Sequence, residues 1–156
     1  MPTPATPPFQ IRPARDAELD ALASLENRVF DYDRLSRRQY RRHLHSSTAR
    51  VLVARHDGGL MGSAVLFFRR GSRVGRLYSL AVAETARGLG LGRRLLAASE
   101  AEARRRSCDR LRLEVRADNT AAARLYESAG YSRCMHLPRY YDNGADGWRY
   151  EKQLCA

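Results

Sequence analysis

A strand that runs into a glycine-rich turn and restarts as a helix constrains this chain more than any other feature. Val74 to Val82 reads as a strand. It leads to Arg87-Gly88-Leu89-Gly90-Leu91-Gly92 and then to a Leu- and Ala-rich helix from about Leu89 to Arg106. A helix N-terminus offers unpaired N–H groups and partial positive charge. Glycines at 88, 90 and 92 let the backbone approach an anion closely, and Arg87, Arg93 and Arg94 add full charges. The turn reads as an anion site, or as no more than a tight strand-to-helix connection. It lacks the P-loop signature. It is also a poor dinucleotide fingerprint, since Arg93, Arg94 and Leu95 follow Gly90-Leu91-Gly92 with no third glycine.

The rest of the chain supplies a sheet around that unit. Residues 1–8 are rich in proline and small polar residues and read as a disordered tail. Residues 9–156 suit one domain with one core. Phe9 to Arg12 alternates like a short strand. Asp16 is placed to cap a helix through about Phe30, with Leu19, Leu22, Leu25, Glu26 and Val29 along it. A basic helix is expected from Ser36 to His45. Ala49 to Arg55 and Leu60 to Arg69 read as strands joined by Asp57-Gly58-Gly59, a hairpin signal. Leu111, Leu113 and Val115 alternate with charged residues, giving a strand with one apolar face. Asn119 or Asp118 can cap a helix from Thr120 to Ala129, and Gly130 sits where a C-terminal glycine belongs. Tyr131 to Leu137 and Trp148 to Leu154 read as two final strands. The fold class is α/β of the mixed α+β kind, with one central sheet of about seven strands and about four helices.

Several functional classes are disfavoured. No apolar run is long enough to span a bilayer, and the N-terminus does not resemble a signal peptide. The cysteines at 108, 134 and 155 include no CxxC, which fits a reducing cytoplasm. Cys108 has no histidine nearby in sequence, so it reads as an incidental thiol rather than an acyl-carrying nucleophile. The four histidines show no metal spacing, and no metal is expected. The net charge is +11, and Lys152 is the only lysine. So much arginine either attracts polyanions such as nucleic acid or simply fills surface cation positions.

Two stretches carry a family resemblance. Leu77 to Leu96 resembles the cofactor segment of the Gcn5-related N-acetyltransferase (GNAT) superfamily. That family's pattern is Gln/Arg-x-x-Gly-x-Gly/Ala, matched by Arg87, Gly90 and Gly92 after the strand Leu80-Ala81-Val82. Leu113-Glu114-Val115-Arg116-Ala117-Asp118-Asn119, with Leu125-Tyr126-Glu127 and Gly130-Tyr131, is similar to the RimI branch, the ribosomal-protein-alanine acetyltransferases. The resemblance implies the GNAT fold, with a mostly antiparallel sheet and acetyl-CoA as co-substrate. It implies that Leu80, Ala81 and Val82 pair with the pantetheine arm and that residues 87 to 93 hold the pyrophosphate. Asn119 and Tyr126 would also contact the cofactor. It makes Glu114 the general base and Tyr126 the general acid.

The chemistry is coherent. An amine attacking a thioester must lose a proton, which a carboxylate can take. The leaving thiolate needs a proton, which a phenol can give. Asn119 and Tyr126 stand two helical turns apart and so share a face. On residue type alone Glu114 remains open as an ion-pair partner, Tyr126 as a core aromatic and Asn119 as a cap. On the acceptor side the resemblance points to Glu26, Phe30, Tyr32, Tyr140 and Tyr141, with Asp142 and Asp146 attracting a cationic amine. The loop after them, Trp148-Arg149-Tyr150-Glu151, is bulkier than the family's usual ending. The expected function is acetyl transfer to a primary amine, foremost a protein or peptide N-terminus, possible partners being ribosomal proteins. The alternatives are a small-molecule amine, or a basic module that binds nucleic acid or the ribosome without catalysis.

Overall fold

The computed structural model describes residues 8–154, so residues 1–7 of the expected tail and Cys155 lie outside the described residues. The chain begins with β1 (Gln10–Pro13), α1 (Leu19–Val29) and α2 (Arg37–Leu44). Three strands follow: β2 (Ala49–His56), β3 (Gly59–Phe67) and β4 (Val74–Val82). Then come α3 (Leu91–Arg105), β5 (Arg110–Arg116), α4 (Thr120–Ser128), β6 (Ser132–Leu137) and β7 (Gly147–Gln153). The seven strands form one sheet in the order β1-β2-β3-β4-β5-β7-β6. Every pair is antiparallel except β4–β5. That exception follows from α3, which carries the chain back along the sheet so that β5 starts at the same end as β4. The architecture is the mixed, mostly antiparallel one expected.

Burial explains the strand patterns. β2 and β3 are buried on both faces because helices cover both. Val51 and Val53 pack with Leu22 and Leu25 of α1 and Tyr40 of α2. Leu52 and Ala54 point the other way, into the cluster holding Leu91, Leu95 and Leu96 of α3. β5 differs. Leu111, Leu113 and Val115 are buried among the α3 and α4 residues, while Arg110, Arg112, Glu114 and Arg116 alternate with them. α1 packs on β3 and β4, and α2 on β2, so this second face of β5 is left for loops to cover.

Local chemistry sets the element ends. The β2–β3 hairpin turns at Asp57 and Gly58, with φ of 49° and 72°. Both central residues in the left-handed region suit the right-handed twist of the strands. Ser36 and Gln39 form a capping box on α2. Asn119 caps α4, its Oδ1 accepting from the Ala122 N–H at 3.1 Å. Gly130, φ 96°, follows the end of α4.

Two expectations are corrected. Asp16 does not cap α1. It opens a three-ten turn, Asp16–Glu18, and lies 3.1 Å from His45. Glu18 is the residue that closes this corner. Its carboxylate is buried and takes hydrogen bonds from Arg12, from the Arg15 N–H and from Arg55. Burial raises its pKa, but those hydrogen bonds outweigh burial and hold it at about 2. The second correction concerns α3, which begins at Leu91 and not Leu89. Gly90 has φ 79° and cannot continue a right-handed helix.

Candidate active site

The site exists because β4 and β5 part company. Their parallel pairing runs from Val74↔Arg110 to Leu77↔Leu113 and stops. Both strands continue, β4 to Val82 and β5 to Arg116. On its other edge β4 stays paired with β3, but the register jumps between Val65↔Ser79 and Leu66↔Leu77. Tyr78 is therefore the extra residue of a β-bulge, which bends the strand where the two part. Beyond Leu77 one edge of β4 faces a cavity of about 490 Å³ instead of a strand. That volume is in the range of small-molecule sites.

The cavity brings together half of the site residues that sequence singled out, including both proposed catalytic groups. Leu80, Glu114, Asn119, Tyr126, Glu26, Phe30, Tyr32, Tyr140 and Tyr141 all line it. The Glu114 side chain is only 6% exposed. Its Oε1 sits 2.6 Å from Arg76 Nη2 and accepts from the Tyr140 hydroxyl at 3.2 Å. Its Oε2 is buried with no partner. Tyr126 is buried on α4, beside Tyr131 and Tyr150. Desolvation alone raises its pKa, so the phenol keeps its proton across the physiological range. Asn119 uses its carbonyl as the α4 cap, which leaves its NH₂ donors for a ligand.

The glycine-rich turn lies beyond the cavity, further along β4. Ala81, Val82 and residues 87 to 93 are not among the groups lining it. The three glycines have different reasons. Gly88 and Gly90 both have φ 79° and nothing within 4 Å of a would-be Cβ, so they serve the turn's conformation and leave open space. Gly92 is a matter of packing: a Cβ there would meet Leu125 of α4 at 3.2 Å. No side chain caps α3, so its first N–H groups are free of side-chain partners. The expected ring of arginines is thinner than the sequence suggests. Arg94 turns away to the Phe9 carbonyl and ring, and Arg93 donates to Ser128 Oγ at 2.6 Å. Arg87 and Leu89 are exposed at the turn.

The acceptor side is built from the α1–α2 and β6–β7 loops, with the ends of α1 and β5. Tyr32, after α1, packs edge-on against Tyr141 of the β6–β7 loop at 6.0 Å between centroids. The Arg116 guanidinium lies 4.1 Å over the Tyr32 ring. Tyr140 stands perpendicular to Tyr141. Glu26 is almost fully buried and accepts from the Tyr40 hydroxyl at 2.7 Å. Desolvation raises its pKa, and the Tyr40 hydrogen bond offsets this only in part. Asp33 and Asp142 line the cavity together. Burial raises the Asp33 pKa, and Asp142 beside it raises it further. Asp146, expected to help attract an amine, does not line the cavity. It is occupied by the Arg139 N–H at 2.9 Å and His136 at 3.2 Å.

Sequence reasoning missed Arg76, Tyr78, Asp33 and Arg116 as members of the site. No local signal marks the first of these. Arg76 reads as one more exposed arginine until the β4–β5 pairing sets it beside Glu114.

The model of the Acetyltransferase (GNAT) family matches residues 17–131. N-alpha-acetyltransferase 30 of Schizosaccharomyces pombe is 32% identical over 114 residues, covering 71% of this chain and 76% of that protein. The ribosomal-protein-S18-alanine N-acetyltransferase of Escherichia coli has the same fold, with a TM-score of 0.84, 24% identity and 95% of each chain covered. The ribosomal-protein-alanine N-acetyltransferase of Brucella melitensis is 29% identical at a TM-score of 0.79, over 92% of this chain and 99% of that one.

Proposed function

Because this chain belongs to the GNAT acetyltransferase family, we propose that it moves an acetyl group from acetyl-CoA directly to a primary amine, the α-amine of a protein or peptide N-terminus. The observation that carries this reading is the cavity beside the free edge of β4. It is lined by a carboxylate with one unpartnered oxygen and by a buried phenol that stays protonated. Those are the two groups that amine attack on a thioester needs. Residues 9–156 form the proposed catalytic domain.

The co-substrate supplies the activated acyl group. The chain's residues do the rest. The β5-side edge of β4 from Tyr78 to Val82, with Leu80 on the cavity, can hydrogen-bond an extended arm as a strand would. A free backbone N–H there can stabilise the negative charge that develops on the acyl oxygen. Residues 87 to 93 suit a pyrophosphate, through left-handed glycines and an uncapped helix N-terminus. Asn119 offers its NH₂ to the same ligand. Glu114 Oε2 accepts the proton of the amine, and Tyr126 gives one to the departing thiolate. Glu26, Phe30, Tyr32, Tyr140 and Tyr141 wall the acceptor, and Asp33 and Asp142 favour a cationic one.

Calorimetry with acetyl-CoA, followed by turnover assays on N-terminal peptides and small amines, tests the reading. Binding with turnover on peptides is expected. An absence of acetyl-CoA binding would refute it.

A further inference from the structure

Three buried side-chain polar atoms lack a hydrogen-bond partner among the described residues: Arg76 Nε, Glu114 Oε2 and Arg149 Nε. They are neighbours. Arg149 stands opposite Glu114 in the β5–β7 ladder, and Arg76 pairs with Glu114 from β4. Buried polar groups nearly always have partners, so three orphans in one place mark groups held ready for something else. Arg76 and Glu114 both line the cavity, whereas Arg149 does not. Only Arg76 and Glu114 can therefore meet a ligand there.

Their vacancies are complementary. Glu114 Oε2 is an acceptor and Arg76 Nε–H is a donor. An isolated alkylammonium fills the first and leaves a buried guanidinium N–H unpaired. An amine with a carbonyl on the next carbon fills both: its N–H donates to Glu114 and its carbonyl oxygen accepts from Arg76. The Tyr140 hydroxyl accepts from Arg76 at 3.0 Å and donates to Glu114 at 3.2 Å, so it ties the two groups together. A lysine in place of Arg76 would keep the charge but lose the fixed fork of donors.

We propose that Arg76 is a specificity residue that reads the carbonyl next to the reacting amine. The acceptors are then α-amino carbonyl compounds, either peptide N-termini or free amino acids, in preference to isolated alkylamines such as a lysine ε-amine or a diamine. This rests on Glu114 being the partner of the amine.

The test uses the full chain with acetyl-CoA and four acceptors: a peptide with a free N-terminus, the corresponding free amino acid, the same peptide N-blocked with one lysine, and 1,4-diaminobutane. In the parent, kcat/KM for an α-amino carbonyl acceptor exceeds that for the alkylamines by about tenfold or more, the scale of one hydrogen bond to a charged group. The faster of the two α-amino acceptors identifies the source. In Arg76→Gln and Arg76→Lys the ratio falls toward one, chiefly through a higher KM for the α-amino acceptor. Arg76→Lys keeps a cation against Glu114 and covers the case in which Arg76→Gln fails to fold. A ratio that survives in a folded variant, or an equal fractional loss on every acceptor, overturns the inference. Binding of acetyl-CoA with no turnover of any amine overturns the acetyl-transfer reading beneath it.

Discussion

Replacing Tyr126 by phenylalanine should separate activity from stability. The side chain is 7% exposed and lines the cavity, and desolvation raises its pKa with no hydrogen bond contributing. A hydroxyl that opens onto the cavity can be hydrated, so removing it relieves no buried unpaired group. Its loss leaves the ring packed against Tyr131 and Tyr150. Stability should therefore change by no more than about 0.5 kcal/mol. In a chain of this length that is a shift of no more than about 2 °C in the thermal midpoint. Catalysis should change far more. A positioned general acid contributes about 10²–10⁴-fold. A thiolate leaves more readily than an alkoxide, so the effect falls at or below the lower end of that range, and kcat should fall about tenfold to a hundredfold. The assay follows release of free CoA thiol at saturating substrates, alongside thermal unfolding. Equal kcat for mutant and parent would remove Tyr126 from the chemistry. A lower kcat with a midpoint many degrees lower would show the hydroxyl to be structural instead.

Glu114→Gln should lower kcat by about a hundredfold, since the amide cannot take the amine's proton; parent-level turnover would leave Glu114 as no more than the ion-pair partner of Arg76. Gly90→Ala should destabilise the chain by about 1 kcal/mol, because φ is 79° and the space around it is open, and should raise the KM for acetyl-CoA. An unchanged KM would detach the turn from the cofactor. Acid should also weaken the fold. Glu18 and Glu102 are buried carboxylates whose pKa values are about 2 against an ordinary value of 4.5, because hydrogen bonds from arginines outweigh burial. A depressed folded pKa stabilises above the unfolded value and is lost as pH falls through the folded one. Each contributes up to about 3 kcal/mol at neutral pH, declining from about pH 5 to about pH 2. Urea midpoints that stay constant between pH 7 and pH 3 would contradict this.

The fold and part of the site were open to reading along the chain, wherever the signal is local. The alternation of Leu111, Leu113 and Val115 marks a strand with one buried face, because neighbouring side chains on a strand point to opposite sides. Asp57-Gly58 marks a hairpin because its turn needs positive φ. Asn119 and Tyr126 reach one cavity because seven residues of helix bring them onto one face. Asp16 misled, since a plausible cap lost its place to a three-ten turn closed by Glu18. Arg94 misled as well, since its partner is Phe9, at the far end of the sequence.

The sequence by itself determined the order of the elements and the glycine-rich turn, and it pointed to Glu114, Asn119 and Tyr126 through the family resemblance. The first two depend on periodicity and backbone freedom, which act over a few residues. Tertiary structure alone decided that β4 and β5 separate after Leu77, that Tyr78 bulges there, and that Arg76 and Tyr140 hold one oxygen of Glu114 and leave the other free. These contacts join strands and loops far apart in the chain. A side chain's partner across a sheet is set by strand order and register, which no local run of residues contains.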